Sequence, residues 1–98
     1  MQAIRPAVDR KLLRHELNVD RFLRRTNKGE KEVYLLNHHN SPNCMQEIGR
    51  LRELTFRTAG GGTGLPADID VNDTSEDCYD QLIVWDPEAE EIVAGYRL

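Results

Sequence analysis

The sequence lacks the features that mark several specialised classes of protein. Its 98 residues include only two cysteines, Cys44 and Cys78, too few for a disulfide scaffold. No apolar run approaches the roughly 18 residues that a membrane-spanning helix needs. The N-terminus also lacks the apolar stretch of a secretory signal. With 39% hydrophobic and 31% charged residues, these absences favour a globular domain in the cytoplasm.

Positive charge is scarce in the second part of the chain. Residues 60–98 contain one basic residue, Arg97, against 10 acidic ones, whereas residues 1–59 contain 12 basic and 7 acidic residues. One interpretation is two solvated faces of opposite sign, and the other is that the two parts meet around a site. The basic part is suited to an anionic membrane surface, such as the inner membrane, or to an acidic carrier protein. The acidic net charge and the absence of a recognised motif argue against nucleic acid as a partner.

Local patterns predict a short helix and a hairpin near the N-terminus. Asp9 is placed to cap a helix that ends near Leu17, with an apolar stripe that begins at Leu12. Residues 21–26 and 31–37 are typical of strands, and the Asn-Lys-Gly-Glu segment between them has the composition of a turn.

A longer helix is predicted from Pro42 to Ala59. Ser41 offers a capping hydroxyl, and proline fits the first turn of a helix. The spacing of apolar residues divides the helix into two faces. The inner face comprises Met45, Ile48, Leu51 and Thr55, and the outer face comprises Gln46, Arg50, Glu53 and Arg57.

Arg52 departs from this division. It lies four residues from both Ile48 and Phe56, so it shares a stripe with apolar neighbours. An unpaired buried charge costs several kcal/mol. The position therefore predicts a carboxylate partner for Arg52.

A glycine-rich segment, Ala-Gly-Gly-Gly-Thr-Gly at residues 59–64, ends the helix. Such a composition is typical of a mobile loop. A lid beside a substrate site and a phosphate-binding loop are its functional alternatives. The second lacks the Lys-Ser/Thr pair that completes the phosphate-binding motif.

The C-terminal residues predict a β-hairpin. Gln81–Trp85 is an apolar run, residues 86–90 form a turn, and Glu91–Leu98 returns as a strand. Alternation places Ile92, Ala94, Tyr96 and Leu98 on one face of that strand, and Val93, Gly95 and Arg97 on the other. Both faces are largely apolar, so we expect layers above and below the hairpin, with Trp85 and Tyr96 in the core.

The strand pattern runs up to Leu98 without a cap or a polar tail. We therefore expect an interrupted sheet whose open edge pairs with a partner or with a second copy of the chain.

Three carboxylates, Asp68, Asp70 and Asp73, fall within six residues. Such a cluster repels itself unless cations or hydrogen bonds hold it together. We expect Arg52 and Arg97 to neutralise it in a network between helix, loop and sheet. A solvated acidic loop is the alternative. A calcium site is a weaker one, because the glycine and the closing glutamate of an EF-hand are missing.

No metal or cofactor is predicted. The candidate metal ligands lack the usual zinc spacing, so we interpret them as loop histidines and ordinary thiols; they are His38, His39, Cys44 and Cys78.

The order of these motifs resembles the acyl-homoserine-lactone synthases of the GNAT-like superfamily. It is more similar still to bacterial ornithine- and glycine-lipid N-acyltransferases, a family often labelled "putative hemolysin". The resemblance covers about residues 30–98. Its pieces are Leu51–Phe56, Asp68-x-Asp70-x-x-Asp73, Gln81–Asp86 and Val93–Leu98.

The sequence also departs from the lactone synthases. Those enzymes usually have glutamate at the position of Asp68 and an aromatic residue at the position of Asn72. They carry a tryptophan-bearing segment in place of the glycine-rich loop. These differences leave the identity of the acceptor substrate open.

The resemblance implies an α/β (α+β) fold, the N-terminal half of a GNAT-like acyltransferase, with a mixed, mostly antiparallel sheet and one long helix packed on it. It divides the chain into an N-terminal helix and hairpin arm, residues 1–30, and an incomplete GNAT-like domain, residues 31–98.

The resemblance also implies transfer of a fatty acyl group from acyl carrier protein or CoA to the amine of an amino acid, as in amino-acid lipid synthesis. No cofactor is implied beyond the acyl donor. Asp68, Asp70 and Asp73 would be the catalytic carboxylates, and Arg52, Phe56 and Arg97 would bind the acceptor.

In that family the donor-binding segment follows these strands, so we expect the chain to be inactive alone. The alternative is a non-catalytic module that binds a partner, or forms a homodimer, through the open sheet edge. Membrane lysis, suggested only by the family label, would need an amphipathic, cation-rich helix that the sequence lacks.

Overall fold

An antiparallel sheet with its helices against one face forms the fold. The computed structural model describes residues 1–98. In chain order it contains α1 (Arg10–Glu16), β1 (Phe22–Arg25), β2 (Glu32–Leu36), α2 (Pro42–Thr58), α3 (Val71–Thr74), β3 (Gln81–Asp86) and β4 (Glu91–Arg97). The strands lie in the order β1-β2-β3-β4, and every neighbouring pair is antiparallel. The predicted α/β class is confirmed.

The core lies between the sheet and helices α1 and α2. It is built from ten buried apolar side chains: Leu13, Leu17, Tyr34, Leu36, Cys44, Met45, Ile48, Ile83, Trp85 and Ile92. None of the three helices has the length and apolar character that crossing a bilayer requires.

Helix α1 begins as predicted. The Asp9 side chain accepts a hydrogen bond of 2.8 Å from the Lys11 N–H, which satisfies a donor of the first turn. Leu13 and Leu17 are buried, but Leu12 is about half exposed, so its placement on the inner stripe was wrong. Successive helical residues point about 100° apart, and Leu13 takes the inward direction.

The N-terminus of α2 is capped by a residue other than the predicted Ser41. The Ser41 side chain makes no capping hydrogen bond; its hydroxyl donates to Asn40 Oδ1 at 2.8 Å instead. The buried carboxylate of Glu16 accepts from the N–H of Asn43 at 3.0 Å and of Cys44 at 2.7 Å. The cap therefore comes from α1 and docks that helix on the positive end of α2.

Two residues of α2 differ in burial from the prediction. Thr55 is exposed, whereas Glu53 is fully buried. Glu53 turns inward because the segment that follows α2 folds back over this side of the helix and donates hydrogen bonds to its carboxylate. Met45 and Ile48 are buried as expected.

A β-bulge changes the predicted alternation of β4. The pairing between β3 and β4 shifts by one residue between Val84 and Trp85. Ile92 pairs with Trp85, and Gly95 pairs with Ile83. Because paired residues project to the same face, Ile92 lies on the helix-covered face together with Gly95. The predicted grouping of Ile92 with Ala94, Tyr96 and Leu98 was therefore wrong.

The opposite face of the sheet carries no helix, so the expected second covering layer is not seen. Its side chains include half-buried Leu82 and Val84 and the exposed Tyr96. Tyr96 was predicted to lie in the core, but it is 60% exposed. The same prediction for Trp85 is confirmed, because Trp85 is only 3% exposed.

The β1–β2 hairpin turns at Gly29, whose φ of 69° explains the glycine. Both of its strands belong to the sheet that also contains β3 and β4. The predicted domain boundary at residue 30 falls inside this hairpin, and the division into two domains stays a prediction.

Candidate active site

The acidic segment is held in place by its own backbone. Asp70 caps α3, and the Asp73 carboxylate reaches back to accept the Asp70 N–H at 3.1 Å, which completes a capping box. The Asp68 N–H donates to the Gly49 carbonyl at 2.9 Å. A side chain on Gly49 would collide with Ile69, so glycine at this position allows the acidic segment to lie directly on α2.

Asp73 lies at the centre of the predicted network and is only 1% exposed. Arg52 Nη1 is 3.1 Å from Asp73 Oδ2, and Arg52 Nη2 donates to Gln81 Oε1 at 2.8 Å. Gln81 Nε2 in turn donates to Asp73 Oδ1 at 3.1 Å. The carboxylate that Arg52 was expected to need is therefore Asp73.

Arg97 approaches the same cluster from β4. Its Nη1 lies 3.3 Å from Asp70 Oδ2 and 3.5 Å from Asp73 Oδ1, and its guanidinium carbon lies 5.0 Å from the centre of the Tyr79 ring. Arg97 remains 39% exposed. Its Nη2 and Nε donate to no protein acceptor, so one edge of the guanidinium is available to a ligand.

These contacts shift the pKa values of the exposed pair. Burial raises the pKa of Asp70, but hydrogen bonds from Arg97 and from the Asn72 N–H outweigh it, so the pKa lies below its ordinary value. The hydrogen bond to Asp70 raises the pKa of Arg97. Both groups are therefore charged throughout the neutral range.

Asp68 has a different environment from the other two carboxylates. It is half-buried, and its carboxylate forms neither a hydrogen bond nor an ion pair with the protein. The predicted network thus includes Asp70 and Asp73 and leaves Asp68 outside it.

Two adjoining cavities lie beside the network. The first, which we term the polar cavity, has a volume of about 470 Å³ and is lined by Arg52, Phe56, Asp68, Asp70, Asp73, Gly95, Tyr96 and Arg97. All six predicted site residues are therefore brought together around one space. The three carboxylates and two guanidinium groups in its wall sum to a formal charge of −1.

The second cavity, which we term the apolar cleft, lies between α2 and β4. It has a volume of about 250 Å³ and is lined mainly by Ile48, Leu51, Thr55, Ile92, Val93 and Ala94. Arg52, Phe56 and Gly95 line both cavities.

Three further residues of this region were missed at the level of sequence. Gln81 bridges Arg52 and Asp73. The sequence feature that could have identified it is a lone amide at the start of an apolar strand. Tyr79 stacks on Arg97. Glu53 had an i,i+4 spacing to Arg57, but the same spacing is common on exposed helix faces.

Glu53 holds the glycine-rich loop. Its carboxylate accepts hydrogen bonds from the Thr63 N–H at 2.9 Å and hydroxyl at 2.6 Å, the Gly64 N–H at 3.0 Å and Arg57 Nε at 2.5 Å. The Thr63 hydroxyl contributes most, and against the effect of burial these donors lower the pKa of Glu53 to about 2. The N–H groups that a phosphate would need are bound to this carboxylate, so the structure does not support a phosphate-binding loop.

The candidate metal ligands are dispersed. Cys44 is buried, and burial raises the pKa of its thiol well above the ordinary value. His39 Nε2 lies 3.0 Å from the Ser75 carbonyl oxygen and therefore acts as a donor there. No group of three or more His, Cys, Asp or Glu side chains is arranged to hold a metal ion.

Comparison with known proteins shows what this geometry resembles. Residues 51–98, which include α2 from its third turn to the end of β4, match the acetyltransferase (GNAT) domain. This part of the chain is GNAT-like. The predicted resemblance, to the N-terminal part of a GNAT-like N-acyltransferase, is thereby confirmed.

Two curated relatives are similar along almost the whole chain. A glycine N(alpha)-acyltransferase from Bacteroides thetaiotaomicron is 59% identical over 97 residues, which is 99% of this chain and 29% of the relative. A glycine N(alpha)-acyltransferase from Phocaeicola vulgatus is 53% identical over 97 residues, 99% of this chain and 30% of the relative. The chain thus spans less than a third of the length of either relative. No solved structure matches it.

Proposed function

We propose that the chain forms the acceptor-binding part of an N-acyltransferase that moves a fatty acyl group from a thioester to the amine of a small amino acid. The GNAT match and the names of the two relatives support acyl transfer to an amine. Glycine is the first candidate acceptor, because both relatives carry it in their names.

The observation that carries the proposal is the unequal use of the three carboxylates. Asp73 is fully engaged by Arg52, Gln81 and backbone, and Asp70 is engaged by Arg97. Asp68 alone presents an unpaired carboxylate to the polar cavity. A proton acceptor needs free oxygen lone pairs, so the proposal assigns that role to Asp68.

The polar cavity suits a zwitterion. The free Nη2 and Nε of Arg97 form a fork that matches a carboxylate. The net formal charge of −1 in the wall attracts an ammonium group, and Asp68 is the carboxylate in that wall that is free to pair with it. Arg52 and Gln81 position Asp73, which keeps Arg97 aligned.

The chemistry proceeds from these positions. Asp68 takes one proton from the ammonium group, and the neutral nitrogen attacks the thioester carbonyl carbon. The carbon–sulfur bond then breaks, the second proton passes to the departing sulfur, and an amide and a free thiol result. Asp68 releases its proton to water.

The donor in this proposal is a fatty acyl thioester of acyl carrier protein or CoA, and the product class is an N-acyl amino acid of the kind used in amino-acid lipids. The excess of five positive charges in residues 1–59 is complementary to an acidic carrier protein.

A binding experiment tests the acceptor site. Glycine should bind the chain, and glycolate, which lacks the amine, should bind at least tenfold more weakly, as measured by NMR titration. Asp68→Asn should weaken glycine binding about tenfold, equivalent to ~1.4 kcal/mol, because the ammonium group loses its counter-charge. Asp77→Asn, an exposed acid outside the cavity, is the matched control and should have no effect.

Equal affinity for glycine and glycolate, or equal loss in both variants, would contradict the proposal and favour a non-catalytic binding role. Inactivity of the 98-residue chain alone also stays a prediction. A clear acyl-transfer rate from the purified chain that is abolished by Asp70→Ala would contradict it.

A further inference from the structure

The polar cavity and the apolar cleft adjoin each other. Arg52, Phe56 and Gly95 belong to the walls of both, so the two spaces meet between the middle of α2 and the second half of β4. One end of the combined space is charged, and the other is lined by aliphatic side chains such as Ile48, Leu51 and Val93. A ligand that fills both must be polar at one end and apolar at the other.

The fold does not require glycine at position 95, where the two cavities adjoin. It lies inside a strand, where glycine weakens the sheet, and it does not have the positive φ that requires glycine. A Cβ built on Gly95 would meet only Ile83 Cγ2 and the Leu82 carbonyl oxygen, both at 3.9 Å, which is ordinary contact. Neither the backbone nor the packing therefore excludes a side chain at this position.

A side chain at residue 95 would instead obstruct the junction. Gly95 pairs with Ile83, so its Cβ position faces α2 and the two cavities. Glycine in a strand commonly marks a point where a ligand approaches the backbone closely. The exposed Gly95 backbone lines both the charged end and the aliphatic end.

The charged end fixes which kind of amphiphile fits. Arg97 offers two free donors to a carboxylate, and no cation in the cavity wall other than Arg52 and Arg97 competes for it. From a carboxylate at Arg97, a ligand can extend along the wall that both cavities share, which contains Arg52 and Gly95.

We propose that the two cavities form one channel for an N-acyl amino acid, with its carboxylate at Arg97 and the first carbons of its acyl chain in the apolar cleft past Gly95. This inference rests on the proposed function and adds to it the path of the acyl chain.

The test is the dependence of binding on acyl length. N-acetylglycine, N-butanoylglycine, N-hexanoylglycine and N-octanoylglycine are titrated into the methyl-labelled chain and followed by NMR. Burying one methylene strengthens binding roughly fourfold, so affinity should rise at least tenfold from acetyl to octanoyl. The methyl groups of Ile48, Leu51 and Val93 should shift with the longer ligands, and the guanidinium resonances of Arg97 should shift with all of them.

Variants at the junction provide the decisive comparison. Gly95→Val should remove most of the gain in affinity from N-acetylglycine to N-octanoylglycine. Gly95→Ala should remove part of that gain, and it serves as the test if valine prevents folding. Val84→Ile, which adds a methyl group on the opposite face of the sheet, should leave the length dependence unchanged.

Three results would overturn the inference. They are equal affinity for all acyl lengths, unchanged length dependence in both Gly95 variants, and octanoyl-induced shifts at Val33 and Val84 on the open face of the sheet rather than in the cleft. N-acetylglycine separates the two proposals, because binding of it at Arg97 without any gain from longer chains supports the acceptor site and refutes the channel. Failure of every ligand to bind counts against both.

Discussion

Asp70 and Asp73 are three positions apart in the chain and have very different surroundings. Asp73 is buried and accepts hydrogen bonds from Arg52, Gln81 and the Asp70 N–H. The Asp70 side chain is about half exposed and faces Arg97. Exposed ion pairs contribute little to stability, whereas removing one partner of a buried pair leaves an uncompensated charge.

We therefore expect unequal effects from neutralising these two residues. Asp73→Asn should lower the free energy of unfolding by about 3 kcal/mol, because the half-buried guanidinium of Arg52 loses its buried counter-charge. Asp70→Asn should lower it much less. Urea unfolding monitored by Trp85 fluorescence measures both. Similar losses in the two variants would show that Asp73 does not organise the network.

The sequence identified a site residue where a charged residue interrupted an apolar pattern. Arg52 on an apolar stripe required a carboxylate, and the structure supplies Asp73. Gln81 broke a pattern too, but an amide at a strand start has many possible partners, and only the positions of Arg52 and Asp73 identify its own.

At the scale of elements, α2 organises the segments on either side of it through buried glutamates. Glu16 of α1 caps its N-terminus, and Glu47 accepts the Val8 N–H at 3.1 Å and pairs with Arg50. Glu53 binds the N–H groups of Thr63 and Gly64. The glycine-rich loop is therefore attached to the helix, and its glycines serve the positive φ values at residues 60, 62 and 64.

The attachment predicts the behaviour of the loop. Glu53→Gln should raise the hydrogen-exchange rates of the Thr63 and Gly64 amides at least tenfold, because the neutral amide is a weaker acceptor and replaces an acceptor oxygen with a donor. NMR hydrogen exchange measures these rates.

Glu47→Gln is the matched control on the same helix. It should leave the Thr63 and Gly64 amides protected and loosen only the Val8 amide. If the loop amides exchange rapidly in the unmodified chain, the loop is not held by Glu53, and the interpretation as a mobile lid regains support.

The β-bulge in the β3–β4 hairpin shows the limit of strand patterns. Alternation correctly predicted two strands, but the extra residue in β4 moves Ile92 to the face that carries Gly95. Bulges shift every later residue by one position relative to the partner strand, and neither Val84 nor Val93 carries a local signal for one.

For the whole molecule, carboxylates with lowered pKa values connect stability to pH. The pKa of Glu53 is lowered from an ordinary 4.5 to about 2, and the hydrogen bond from the Thr63 side chain is the largest cause. The Asp86 pKa is lowered chiefly by the Ala89 N–H, and the Asp70 pKa is lowered by Arg97 against the effect of burial. The folded state therefore binds fewer protons than the unfolded state in acid.

The sign of the effect follows from these directions. The stabilisation is fully present above the unfolded pKa values, near 4 to 4.5, and is lost as the pH falls towards 2. The urea midpoint should therefore change little between pH 7 and pH 5.5 and decrease steadily below about pH 4.5. Glu53→Gln should flatten part of that decrease. A midpoint that stays constant down to pH 2.5 would contradict the assignment.

The whole molecule also accounts for the charge asymmetry. The basic residues of the first part and the acidic residues of the second meet in pairs such as Arg52–Asp73, Arg14–Glu90 and Lys31–Asp86. The interpretation of two separate charged faces therefore does not describe these residues. The excess charge of each part remains on the surface.

The sequence by itself determined the type of most elements, the class of the fold and the set of charged residues around the site. These features depend on spacing within a few residues, on turn composition and on the cost of burying an unpaired charge. Tertiary structure alone decided that Glu16 caps α2 from 27 positions away, that Glu53 holds the glycine-rich loop, and that Asp68 stays unpaired while Asp70 and Asp73 are engaged. Those outcomes depend on which distant groups come within hydrogen-bonding distance, and no local pattern in the chain encodes that distance.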